Sequence, residues 1–86
     1  MSNEFEDRDR YAGATRNQQI RSEVFKGLAR WGSSGMGSVT VEVDDDRIVL
    51  TGTVPSYFLK QMAQEAARRA CTERRVYNEL IVPQSV

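Results

Sequence analysis

The chain has 86 residues, with 12 Lys and Arg balancing 12 Asp and Glu, no His and a single Cys. That length holds one domain, the absence of net charge leaves no global field to draw a polyanion, and one cysteine excludes an internal disulfide. No run approaches the ~18 apolar residues of a membrane span, and the charged first residues lack the apolar run of a secretory signal, so the chain as written is expected to be cytoplasmic, with attachment to a cell envelope left open.

Residues 1–16 show no apolar periodicity. A mixed-charge run from Glu4 to Arg10 and Gly13 offer little to bury, so the segment is expected to be a disordered tail ahead of a domain at 17–83. From Asn17 to Trp31, Ile20, Val24, Leu28 and Trp31 recur at helical spacing and form one apolar stripe. Trp31 continues the stripe and is expected in the core. Phe25 sits on its flank, and Gly27 on the apolar side would permit close packing. Gly32-Ser33-Ser34-Gly35 follows. It has the glycine spacing of a nucleic-acid-clamping loop but leads into a strand and carries no Lys or Arg, so a phosphate role is not expected.

Val39, Val41 and Val43 alternate with polar residues, and Ile48, Leu50 and Val54 share one face of the next segment with Gly52. Period two predicts two strands, each with one buried side. Asp44-Asp45-Asp46-Arg47 breaks the alternation where a hairpin turns. Three adjacent carboxylates lack the alternate spacing, glycine and distant Glu of a calcium loop. The second helix is expected from Ser56, as N-cap, to about Cys71. Leu59, Met62, Ala63, Ala66, Ala67 and Ala70 make a mostly alanine face. Such a face lets a helix lie close to a sheet, with Gly52 expected to provide matching space on the strand. Cys71 is expected to end the helix as a small buried or half-buried hydrophobe. A last strand runs from Val76 to Val82, with Val76, Asn78, Leu80 and Val82 toward the helices. Asn78 needs backbone partners there, since burying an unpaired amide costs a few kcal/mol, on the order of 2. Pro83 stops the strand.

The order helix, strand, strand, helix, strand resembles the BON domain family of bacterial osmotic-shock and nodulation proteins. The likeness is carried by Ile20…Val24…Leu28, Val39-x-Val41-x-Val43, Ile48-Val49-Leu50-Thr51-Gly52-Thr53-Val54, Ala63…Ala66-Ala67 and Val76-Tyr77-Asn78-Glu79-Leu80-Ile81-Val82. The family's usual Gly-Val before the last strand is replaced by Thr72-Glu73, followed by Arg74-Arg75, which implies a more polar turn. The resemblance implies an α+β two-layer sandwich, two helices on one face of a three-stranded mixed sheet. The other sheet face would carry Thr40, Glu42, Val49, Thr51, Thr53, Tyr77, Glu79 and Ile81.

By the same resemblance the chain is a non-enzymatic binding module without a cofactor. It would attach to a phospholipid membrane surface, a hydrophobic ligand or an envelope-associated protein. The start of the second helix combines aromatic and basic residues as an interfacial contact requires, and Tyr57, Phe58, Lys60, Arg68 and Arg69 are the expected contact residues. The alternative is a protein-interaction or self-association module acting through the open sheet face or a strand edge. Nucleic acid is not expected, given the zero net charge. No His, no partner for the cysteine and no metal-ligand spacing point to catalysis.

Overall fold

Alternating valines and isoleucines pair two strands into a hairpin, and the helices close over its apolar side. The computed structural model describes residues 4–31 and 36–83, with side-chain surroundings from residue 15 onward. The Gly32–Gly35 spacing lies outside the described residues. The elements are α1 (Glu4–Ala29), β1 (Thr40–Val43), β2 (Arg47–Thr51), α2 (Tyr57–Ala70) and β3 (Arg75–Asn78), with a short 3-10 turn at Met36–Ser38 ahead of β1. The sheet order is β1-β2-β3, with β1 and β2 antiparallel and β2 and β3 parallel. This is the expected α+β sandwich, α-β-β-α-β, on a mixed three-stranded sheet.

Register follows the apolar pattern. Val41 pairs with Leu50 and Val43 with Ile48 across the hairpin, and Ile48 with Val76 and Leu50 with Asn78 across the parallel pair. A one-residue slip would turn every one of these side chains toward water. Ile48 and Leu50 on the central strand are fully buried, with Val41, Val54, Leu80, Val24 and Leu28 around them. On the opposite face Thr40, Glu42, Thr53, Tyr77, Glu79 and Ile81 are exposed, and Val49 and Thr51 are half-buried.

Four points add to or revise these expectations. First, α1 continues back to Glu4, into the segment expected to be a tail. Glu, Arg and Ala there have high helix propensity and extend a helix that the amphipathic part has already nucleated. Second, β3 is regular only over Arg75–Asn78. The chain then pairs with the segment just past β2 through the isolated Thr53–Ile81 bridge, with the Ile81 N–H donating to the Gly52 carbonyl and the Val54 N–H to the Ile81 carbonyl. The break falls where the Asn78 side chain accepts from the Leu80 N–H at 3.2 Å.

Third, Gly52 does not make room for the alanines of α2. Its φ is +118°, and a Cβ there would stand 2.0 Å from the Ser38 carbonyl oxygen. It is glycine because the backbone needs a left-handed conformation under the 3-10 turn. The glycine that meets an alanine is Gly27 on α1, where a Cβ would approach the Ala66 Cβ to 2.8 Å. Ala63 and Ala67 are the fully buried alanines of α2. Fourth, the Asp44–Asp46 turn is exposed, as a solvated turn should be, and it is also tethered. Arg74 donates to the Asp44 carbonyl at 2.8 Å and to the Asn17 side chain, while Asn17 donates to Asp45 at 3.3 Å. Arg47 pairs with Asp44 at 3.2 Å inside the turn. The polar turn before β3 thus ties α1, the hairpin and β3 together at one pole.

Candidate functional site

α2 divides its residues by angle. Ser56 caps its start, with its hydroxyl accepting from the Leu59 N–H at 3.2 Å, which fixes the rotation at which the following residues emerge. Leu59, Ala63 and Ala67 point into the core. Phe58, Met62, Ala66 and Arg69 fall on the flank toward α1, and Tyr57 and Arg68 on the outward crest. Lys60 and Gln64 stand over β3, where the Asn78 amide donates to the Lys60 carbonyl at 2.9 Å and to Gln64 at 3.2 Å.

The two helices run antiparallel, with Trp31 at the end of α1 beside Phe58 at the start of α2, and Arg16 of α1 paired with Glu73 after α2 at 3.1 Å. Trp31 and Phe58 meet edge to face, ring centroids 5.3 Å apart and planes at 87°. That geometry suits the aromatic quadrupole. Trp31 is half-buried: one part packs on the core as the stripe predicts, and the rest meets Phe58. Phe58 is 57 % exposed and Tyr57 70 %. Three aromatic rings therefore lie at one end of the helix layer, two of them, Tyr57 and Phe58, with most of their surface in water and Trp31 half-buried behind them.

From this end a groove of about 680 Å³ follows the seam between the helices. Gly27, Trp31, Met62, Ala66 and Ala70 line its apolar part, and Lys26, Arg30 and Arg69 contribute cations, with Glu23 and Glu65 opposed. Lys26 pairs with Glu23 at 3.4 Å and Arg68 with Glu65 at 3.2 Å, both exposed i,i+3 contacts of small energetic weight. Among the described residues Arg30, Arg69 and Lys60 form no ion pair.

The five expected contact residues separate into two places. Tyr57 and Phe58 share the aromatic end with the half-buried Lys60 one turn on, whereas Arg68 and Arg69 lie at the far end of α2, about 16 Å along the axis at 1.5 Å per residue. Lys26 of α1, and Arg30 and Trp31 just past its end, join the site. Their absence from the sequence-derived set has a simple cause: the Trp31–Phe58 contact spans the whole hairpin, and no local periodicity reports it. The surface residue Phe25 does not belong here; the Arg21 guanidinium lies 5.2 Å from its ring centre on the β1 side. Among the described residues no three His, Cys, Asp or Glu side chains converge as a metal site, and no helix is long and apolar enough to cross a membrane.

A search among curated proteins finds no match to the chain. A family model describing the BON domain matches residues 16–84, from the part of α1 that packs on the sheet to just past the last strand. With the element order, the mixed sheet and the Leu50-Thr51-Gly52-x-Val54 and Val76-x-Asn78-x-Leu80 segments in place, the chain belongs to the BON domain family.

Proposed function

We propose that this chain is a non-catalytic attachment module that docks on anionic phospholipid surfaces through the aromatic end of its helix layer. The family is one of binding-type domains directed at membranes or phospholipids in general. The observation that carries the reading is the exposed pair Tyr57 and Phe58, backed by the half-buried Trp31, at one end of two helices beside Lys60 and Arg30. Amphipathic rings sit well at the headgroup boundary, and long cations reach phosphates while their stems stay on apolar surface.

Magnitudes rank the contributors. Burying a Phe-sized side chain is worth about 1.5–3 kcal/mol, so the rings dominate. Arg68 and Arg69, about 16 Å along α2, lie beyond the ~8 Å Debye length of physiological salt. They add attraction only at low ionic strength. Co-sedimentation with phosphatidylcholine vesicles, with and without phosphatidylglycerol, tests this. Pelleting is expected with the anionic vesicles. The Tyr57→Ser/Phe58→Ser pair should weaken it roughly tenfold or more, and Arg68→Gln/Arg69→Gln should weaken it only in low salt. No pelleting with anionic vesicles at low salt would overturn the proposal.

A further inference from the structure

The two edges of the sheet are finished differently. On β1, Arg21 reaches across from α1 and donates to the outward Val41 carbonyl at 3.0 Å, and the Val39 N–H is taken by the Met36 carbonyl at 3.2 Å. On β3, the N–H groups of Arg75, Glu79 and Ile81 turn inward to the carbonyls of Asp46, Leu50 and Gly52. In a parallel pair alternate residues turn both backbone groups to the same side, so Val76 and Asn78 present theirs outward. The sheet order β1-β2-β3 places no described strand on that side of them. Beyond them, the Leu80 N–H is satisfied by the Asn78 side chain.

This short open edge runs beside a groove of about 250 Å³ lined by Gln64, Arg68, Thr72, Arg74 and Val76, between the overhanging side of α2 and the strand. Cations surround it. Lys60 and Arg75 form no ion pair among the described residues, and Arg74 is held only by a backbone carbonyl and an amide. Arg68 has a single exposed carboxylate, Glu65, at 3.2 Å. Glu79 is the lone acidic residue on the strand's exposed side.

We propose that the β3 edge accepts an extended acidic segment of a partner protein as a fourth strand. Main-chain bonds to Val76 and Asn78 would hold the segment. Alternate side chains would enter the groove beside Arg68 and Arg74, and the others would lie by Arg75 and Tyr77 on the open face. A second copy of this chain fits less well. Antiparallel pairing of β3 with itself about Tyr77 sets Arg75 opposite Glu79, but it brings two α2 helices together along the side bearing Lys60 and Arg68, where like charges repel. The proposal stands independently of lipid binding.

The test is amide NMR of the full chain with a short peptide alternating valine and glutamate. Shifts should centre on Val76 to Leu80, and exchange of the Val76 and Asn78 amides should slow. The same peptide N-methylated at its pairing positions, and a valine–lysine peptide, should leave these signals unmoved. Lys60→Glu/Arg75→Glu should weaken binding roughly tenfold. Equal shifts with the N-methylated peptide, shifts centred elsewhere, or none at millimolar peptide would overturn the proposal. So would concentration-dependent shifts of the same amides without peptide, which would mean that a second copy fills the edge.

Discussion

Asn78 stands on the helix-facing side of β3 with its whole amide engaged: both hydrogens are donated to α2, at Lys60 and Gln64, and its oxygen accepts from Leu80. The alternation of β3 shows from sequence alone that a polar residue occupies an apolar face and must find partners. It does not show the two acceptors on α2, because they lie 14 to 18 residues away. Asn78→Ala leaves the Leu80 N–H without its partner and loosens α2 from the strand. Urea unfolding should register a loss of about 1–3 kcal/mol. An unchanged midpoint would mean that water replaces the amide without cost. Gly52 teaches the complementary lesson. Alternation assigns it a face, but its positive φ under Ser38 is a backbone property that no side-chain pattern encodes.

At the scale of elements, periodicity identifies which side of each helix is apolar, and those sides are where the structure has them. How two apolar sides meet is a different question. The alanines of α2 read as a surface for the sheet, and Ala63 and Ala67 do serve that way. Ala66 instead meets Gly27 on α1 and forms part of the groove wall. Gly27→Ala would gain up to about 1 kcal/mol of helix propensity if the site were open. With the Ala66 Cβ 2.8 Å from the new methyl, and unable to turn aside, a net loss is expected. Ala66→Leu should cost roughly 1–3 kcal/mol by overpacking. The exchanged pair Gly27→Ala/Ala66→Gly should recover most of the loss from Gly27→Ala. Thermal melts of the three variants check this, and additive effects in the exchanged pair would separate the two residues. The polar turn before β3 follows the same logic. Arg74, which follows the Thr72-Glu73 standing in place of the family's usual Gly-Val, looks like a solvated loop residue in sequence. In the fold it is a tie between Asp44 and Asn17.

For the whole molecule, the layer architecture and strand pairing were legible because they depend on period two against period 3.6, which each segment displays locally. The binding site was legible only in part. Tyr57, Phe58 and Lys60 were marked by aromatic-plus-basic composition at one helix start, whereas Trp31 was assigned to the core by its own stripe. Antiparallel packing of the helices unites them and carries Arg68 and Arg69 to the opposite end. This arrangement makes Trp31, the sole tryptophan of the chain, a built-in reporter at the proposed contact. Its fluorescence during titration with phosphatidylglycerol-containing vesicles is the most direct test. A blue shift that saturates with lipid, absent with phosphatidylcholine alone and lost in Phe58→Ser, is the predicted result. Vesicle binding with the Trp31 emission unmoved, or no change in emission at any lipid concentration in low salt, would contradict a docking surface at the aromatic end of the helices.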